Sequence, residues 1–436
     1  MAATVAVTVE VAFDGTTFVD ITQYVRHVGL TYGRQRLLDE FGAGSCSIEV
    51  ENRTNWITPG HSDSTYGNTQ LIDREVRVSS AVTGGSDSYA TYLWRGRISD
   101  LNYLAEQDTS TVYISSVDGF DRLAKASIYD QTFAESYTGI LVDAILDLVT
   151  VNYPNGTSPV DRDIDFGAIK AVAATGVTAT AIDYIQQLAR TENGRFLVNH
   201  AGTPSSTNKG GVLTFYAVNS PADDHGVTIS DAKTLPAGSV EARTLAMEWG
   251  SELLYNSYEF KDSASPVVTH TGNRTTSISK YGERVIKRTL LSGGTSTDEA
   301  GLYFVGLYDE PALRVSSVAV DIDAASAADA EKLLHLHVMS GLDLSYLPPG
   351  SSTTLATSLI VEGISLDITV RDMATNAARI VGTYSTSSAD LTGYWVLGDP
   401  VQSVLPTTLA PTWLDTSSWR LGDPDRSDLP ASLASS

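Results

Sequence analysis

The sequence predicts a mainly β chain carrying an α/β insert: a β-rich segment, a helix-containing segment, a second β-rich segment and a C-terminal arm. Three observations predict it. Charged residues are 19% of the 436, whereas Gly alone numbers 35, a balance that favours strands and turns over long solvated helices. Apolar and polar residues alternate at period two in residues 4–11 and again in 359–371, the signature of strands with one buried face. Apolar residues recur at helical spacing mainly in residues 137–149 and 181–190, in mid-chain. A chain of this length exceeds one hydrophobic core, so several domains are expected.

Net charge excludes some partners. With 29 Lys and Arg against 52 Asp and Glu, the chain carries -23. That argues against holding nucleic acid by phosphate neutralisation and against an anionic membrane surface. Cys46 is the single cysteine, so neither an intrachain disulfide nor a Cys-rich metal site can form. The first residues alternate like a strand and lack a basic n-region, and no apolar run is long enough to span a bilayer; neither a signal peptide nor a membrane span is expected.

Residues 1–125 read as the first β domain. Val5, Val7, Val9 and Val11 alternate with polar residues, Asp14-Gly15 marks a turn, and a second extended run spans 19–32. Cys46, Ile48 and Val50 share a face of a short strand, where Cys46 is a small core residue rather than a reactive thiol. Strands follow at 75–80, 89–98 and 111–116, and Val117 to Ala124 closes the segment with a helical turn. Residues 126–244 form the insert. Two helices, 137–149 and 181–190 with Thr178 or Thr180 as its cap, precede a hairpin made by ENGRFLVNHAGT and GGVLTFYAV. Residues 245–390 read as the second β domain. Leu254, Asn256, Tyr258 and Phe260 fall on one side of a strand, Pro266 and Gly272-Asn273 punctuate a connection, and a second extended run follows. A helix is expected over 323–339 and strands over 359–371 and 378–384. The arm, 391–436, repeats W-x-L-G-D-P at Trp395 and Trp419. One Trp and one Leu per unit (Trp395, Leu397, Trp419, Leu421) suit docking onto a partner; an arm folded on its own barrel fits equally.

The string DITQYVRHVGLTYGRQRLLDEFGAGSCSIEVEN resembles the N-terminal signature of minor tail proteins of siphophages of actinobacteria. Asp20, Tyr24, Val25, Arg26, Gly33, Arg34, Leu38, Phe41, Ala43, Gly44, Asn52, Arg53 and Pro59 carry the match; Cys46 departs from it, at a place where the family usually has Thr. The hairpin with Gly194, Phe196, Val198, Gly202, Leu213 and Phe215 is similar to the α/β insert of tail hub proteins. Asn256, Ser277, Ile278, Tyr281, Gly282 and Arg284 resemble a baseplate-hub pattern, the V-E-G-I string at 361–364 a strand of related tail proteins, and YWVLGD a string frequent in the actinophage family. The resemblance implies two β-barrel-like domains flanking the insert, and a structural, non-enzymatic protein of the virion tail tip. It further implies a homotrimer whose six barrels cap a sixfold tail tube, with distal tail protein, tape measure protein and other tip proteins as partners. DNA would pass through the lumen without specific binding, and the acidity would keep it from sticking there.

Candidate chemistry is sparse. His335 and His337 are the one close histidine pair; two positions apart on a helix they cannot share a metal, and on a strand they could, but no third ligand is evident. Asp161, Asp163 and Asp165 alternate without the glycine and distal glutamate of a calcium loop. No catalytic, cofactor or metal residue is therefore assigned, and no cofactor is expected. Three alternatives stay open: a distal tail ring of six copies, a tail-associated cell-wall hydrolase, and a receptor- or glycan-binding tail protein using Trp56, Trp94, Trp395 or Trp419.

Overall fold

Val5, Val7, Val9 and Val11, each at most 1% exposed, form the inner face of β1 (Thr4–Val11). In a computed structural model this strand belongs to the largest sheet of the chain. The structure describes residues 3–36, 38–85, 91–105, 110–149, 162–202, 210–218, 220–232, 235, 236, 238–263, 266–311, 313–347, 354–372 and 375–388. The arm with Trp395, Leu397, Trp419 and Leu421 lies outside the described residues.

The first segment continues with β2 (Val19–Asp20), β3 (Val25–Gly33), β4 (Ser45–Glu51), β5 (Glu75–Thr83), β6 (Thr91–Ala105), β7 (Ser110–Val117) and α1 (Gly119–Lys125). The middle segment holds β8 (Ser127–Phe133), β9 (Ser136–Tyr137), α2 (Thr138–Leu148), β10 (Arg162–Ile164), β11 (Lys170–Ala171), β12 (Ala174–Thr180), α3 (Ala181–Glu192), β13 (Arg195–Asn199), β14 (Val212–Tyr216), β15 (Asp223–Ser230) and β16 (Ser239–Glu241). The third holds β17 (Thr244–Trp249), β18 (Ser257–Lys261), β19 (Thr269–Asn273), α4 (Thr275–Tyr281), β20 (Val285–Thr289), α5 (Thr295–Tyr308), β21 (Leu313–Asp321), α6 (Ala327–His335), β22 (Ser340–Tyr346), β23 (Leu355–Asp372) and β24 (Ala377–Ser388).

Eight strands close a ring in the hydrogen-bonded order β1, β5, β6, β7, β4, β3, β23, β24, with β24 returning to β1 through Val5↔Ala378 and Ala6↔Ala377. Its interior is filled by alternate residues, among them Ile48, Val50, Val78, Ile114, Ile368 and Ile380, none above 1% exposed. Each such side chain contributes about 1.5–3 kcal/mol of burial before chain entropy opposes it. A second ring-like sheet runs β16, β15, β22, β23, β24, β21, β17. Its ends meet where Ala242 N donates to Ser230 O and Arg243 N to Ala319 O, both at 2.8 Å.

The two rings share the hairpin β23–β24. One half of β23, Leu355–Ile360, pairs with β22, and the other, Gly363–Thr369, pairs with β3. The changeover falls at Val361–Gly363, where the register with β24 shifts by a bulge. A bulge bends and twists a strand, and here it marks the passage of one 18-residue strand from one sheet to the next. Strands from residues 1–125 and from 245–390 therefore interleave, and β15 and β16 join them from 126–244. The sequence boundaries at 125/126 and 244/245 cut across hydrogen-bonded sheets, because strand pairing links residues hundreds of positions apart.

The two helices and the hairpin expected in the middle segment are present, beside the strands β8–β12, β15 and β16, which the spacing did not predict. α2 and α3 lie at the predicted stretches, and Thr180 Oγ1 accepts from Asp183 N at the start of α3. β13 and β14 form the predicted hairpin, with β10 parallel to β14. Four readings of the third segment need correction. Gly272-Asn273 lies inside β19 rather than in a turn, because this edge pairs Tyr258 with Gly272 and the Tyr258 ring occupies the place of a side chain there. Residues 275–281 form α4 instead of an extended run. β18, β19 and β20 make a sheet of their own, covered by α5, which the period-two reading missed. The helix expected over 323–339 narrows to a 3-10 turn at Ile322–Ala324 and α6, because the chain turns extended at Leu336 and Met339 takes φ 80.

Candidate functional site

Three glycine-containing pairs converge at the bulge of β23: Gly33-Arg34 at the end of β3, Gly194-Arg195 at the start of β13, and Glu362-Gly363. The sequence forces the first and third together. Gly33 sits at φ 89, and a Cβ there would stand 2.5 Å from Glu362 O; a Cβ on Gly363 would stand 2.4 Å from Arg34 O. Only glycine permits this approach of two backbones. Arg34 N then donates to Glu362 O at 2.8 Å.

The close approach delivers a buried ion cluster. Glu362 is 0% exposed. Arg34 donates to its Oε2 through Nε and Nη2, both at 2.8 Å, Arg195 Nη2 lies 3.3 Å from Oε1, and Ser387 Oγ donates to Oε1 at 2.7 Å. Burial alone would push the Glu362 carboxyl up; the Arg34 and Arg195 charges and the donated hydrogen bonds overcome it and hold the group at about 2.

Arg34 and Arg195 also line a cleft of about 390 Å³ bounded by Phe41, Tyr255, Arg288 and Phe304 among others. Arg34 lies over the Phe41 ring and Arg288 over the Phe304 ring, each at 4.6 Å. Burial lowers the Arg288 guanidinium below its ordinary value, and Arg190 and Arg34 add like-charge repulsion. The cleft wall thus gathers guanidinium groups beside aromatic rings.

Other buried polar groups are structural. Asn256, 0% exposed, donates from Nδ2 to Ser277 Oγ and Gly282 O and accepts at Oδ1 from Arg284 N. Four of the residues that carried the hub-like pattern thus form one knot joining β18, α4 and β20. Glu192 accepts from Ala168 N, Ile169 N and Thr138 Oγ1, tying the loop before β11 to α2 and α3. His200 stacks on Trp94 at 4.4 Å, and its Nε2 lies 3.7 Å from Asp118 Oδ2. Both members of that pair are at most 3% exposed.

The histidines singled out in the sequence have separate partners. His337 Nε2 lies 2.8 Å from Asp223 Oδ2, while His335 Nε2 meets Thr91 Oγ1 at 2.5 Å. Among the described residues no group of three His, Cys, Asp or Glu is placed to hold a metal. Asp163 lies in β10; Asp165 accepts from Ala217 N at 2.9 Å and from Ser220 Oγ; Asp161 lies outside the described residues. Trp56 and Trp94 are 4% and 0% exposed, Trp56 stacked on Tyr24 at 4.5 Å, so neither offers a face to a sugar. Cys46 is buried, and burial pushes its thiol up. Arg288 and Arg195 escaped the sequence reading; for Arg288 the available signal was its sharing of a strand face with Ile286 and Leu290 in VIKRTL.

A pH response follows from His225, whose ring faces that of His337 at 5.2 Å. Burial lowers its basicity, and His337 and His335 reinforce this, against the opposing carboxylates of Asp223 and Asp224. A depressed histidine is protonated more readily in the unfolded chain, so stability falls as pH drops below about 6.5. Urea midpoints taken between pH 7 and 5.5 will decline, and His225→Gln will flatten the decline.

The fold has solved counterparts. Over 90% of this chain and 98% of the other, it is similar to the tail protein from Neisseria meningitidis MC58, with TM-score 0.56 and 9% identity. Over 89% and 99% it is similar to the 43 kDa tail protein of prophage MuSo2 from Shewanella oneidensis, with TM-score 0.54 and 12% identity. No protein-family model and no curated protein matches the chain. The chain has the mainly β fold of phage tail proteins.

Proposed function

We propose that this chain is a non-enzymatic structural component of a phage tail tip, a hub that caps the tail tube and adapts its sixfold symmetry to a threefold tip. One observation carries the reading: two ring-like β sheets share a continuous hairpin, in a chain that aligns over nearly the whole length of two tail proteins. A protomer with two such rings can present six rings from three copies, which is what a closed threefold assembly on a sixfold tube requires. The middle segment, 126–244, would serve as the insert between hub halves, and Trp395, Leu397, Trp419 and Leu421 as docking residues for neighbouring tip proteins. Distal tail protein and tape measure protein are the proposed neighbours, and DNA would traverse the lumen unbound, consistent with the charge of -23.

Native mass measurement tests this directly. The 46.5 kDa chain should assemble as three copies. Six copies would replace the hub with a distal ring, and a strictly monomeric chain at micromolar concentration would overturn the symmetry argument.

A further inference from the structure

We propose that the cleft at the ring junction is a docking site for a carboxylate, supplied by an Asp or Glu side chain of an acidic, partly apolar peptide segment of a partner. The inference rests on the cleft alone and not on the tail-tip reading.

The charge count at the cleft runs opposite to that of the chain. Arg34 and Arg195 share a single carboxylate, Glu362. Arg190 is matched by Glu40 at 3.2 Å. Arg288 has no ion pair among the described residues; its hydrogen bond goes to Asn193 Oδ1 at 3.4 Å, a long contact to a neutral group. Arg195 has 9% of its side chain exposed, and its Nε has no hydrogen-bond partner. Arg34, Arg190, Arg195, Lys287 and Arg288 thus line the cavity against the two acidic side chains Asp39 and Glu40, within a protein of charge -23. Buried charge without a partner is costly and persists where a ligand supplies the counter-charge.

The shape of the site selects the anion. A guanidinium fork matches a planar carboxylate with two parallel hydrogen bonds. Leu38, Tyr255 and Ile286, each only partly buried, line the same cleft and offer apolar surface to the carbon atoms beside such a group. A polyphosphate strand would bring many further negative charges toward an acidic surface, whereas a single acidic side chain brings one. A peptide carboxylate is therefore favoured over nucleic acid.

The test uses the full-length protein and fluorescence anisotropy. Three labelled probes are compared: a peptide capped at both ends with one glutamate between leucines, the same peptide with glutamine, and a short oligothymidylate. The glutamate peptide should bind saturably and weaken with added salt. It should lose about tenfold in affinity when its glutamate is replaced by glutamine, or when the protein carries Arg288→Met. The Arg288→Met protein should melt at or above the wild-type temperature, since a repelling charge has gone; this separates loss of binding from loss of fold. Equal binding of the glutamine peptide, absence of saturation at millimolar peptide, or tighter Arg288-dependent binding of the oligothymidylate would each overturn the proposal.

Discussion

Glu362→Ala will lower the unfolding free energy by about 3–5 kcal/mol, the range for removing one partner of a buried ion cluster. The loss is large because the substitution leaves two guanidiniums facing one another without their carboxylate. Arg34 is 11% exposed in its side chain and Arg195 9%, so water screens neither well. Ser387 Oγ also loses its acceptor. Glu362→Gln keeps the shape and an acceptor oxygen but removes the charge, so it should fall between alanine and wild type. The acid limb of stability supplies a second readout. The folded carboxyl sits at about 2, below its ordinary value near 4.5. A depressed carboxyl stabilises the fold fully above its unfolded value, and that stabilisation disappears as pH falls from about 4.5 toward 2. Denaturant midpoints across this window should fall steeply in wild type and more gently in both variants. Replacing Arg34, Arg195 and Glu362 together by apolar residues of similar volume should recover most of the loss, because burying the ions is itself costly. If Glu362→Ala unfolds at the wild-type midpoint, the cluster does not hold the junction.

Much of the architecture could be read from residue spacing, and the limits of that reading have physical causes. Alternation in residues 4–11 and 359–371 identified β1 and β23, because a strand inside a ring buries every second residue. The helices α2 and α3 were legible from apolar stripes, and Thr180 as a cap from its position. What spacing could not show was pairing. That β23 serves two rings rests on its pairing with β22 and with β3, the latter more than 300 positions away, which leaves no local periodicity. The helix α5 escaped because its buried Ala300, Phe304, Val305 and Tyr308 are interleaved with Gly301 and Gly306, residues that read as breakers. Yet Gly301 is there for packing, since a Cβ would meet the Tyr258 ring at 2.3 Å. At the junction the signature strings named Gly33, Arg34 and Gly194 as well as the V-E-G-I run, without saying that they meet. Arg288 had no such marker: its place in the cleft is set by the separate sheet of β18, β19 and β20.

The second large effect concerns Gly33→Ala. Two penalties act together there. A φ of 89 is a conformation that residues with a Cβ adopt at a cost of about 1–3 kcal/mol. The added methyl would also stand 2.5 Å from Glu362 O and 2.6 Å from Gly363 Cα. Those are backbone atoms of a strand paired on both sides, so they cannot swing away as a side chain would, and overpacking of this kind costs about 1–3 kcal/mol more. The expected loss is therefore about 2–6 kcal/mol, seen as a depressed melting temperature or as insoluble protein. Gly60→Ala separates the two penalties. Gly60 has φ 72 but nothing within 4 Å of where its Cβ would lie, so only the conformational cost applies, about 1–2 kcal/mol. A Gly33→Ala protein that melts no lower than Gly60→Ala would show that the strands can part at the bulge without penalty. The Arg34–Glu362 contact would then be a consequence of the ring junction rather than something the glycines enforce. A clear excess for Gly33 would make the close passage of β3 and β23 the constraint from which the buried cluster and its cleft both follow.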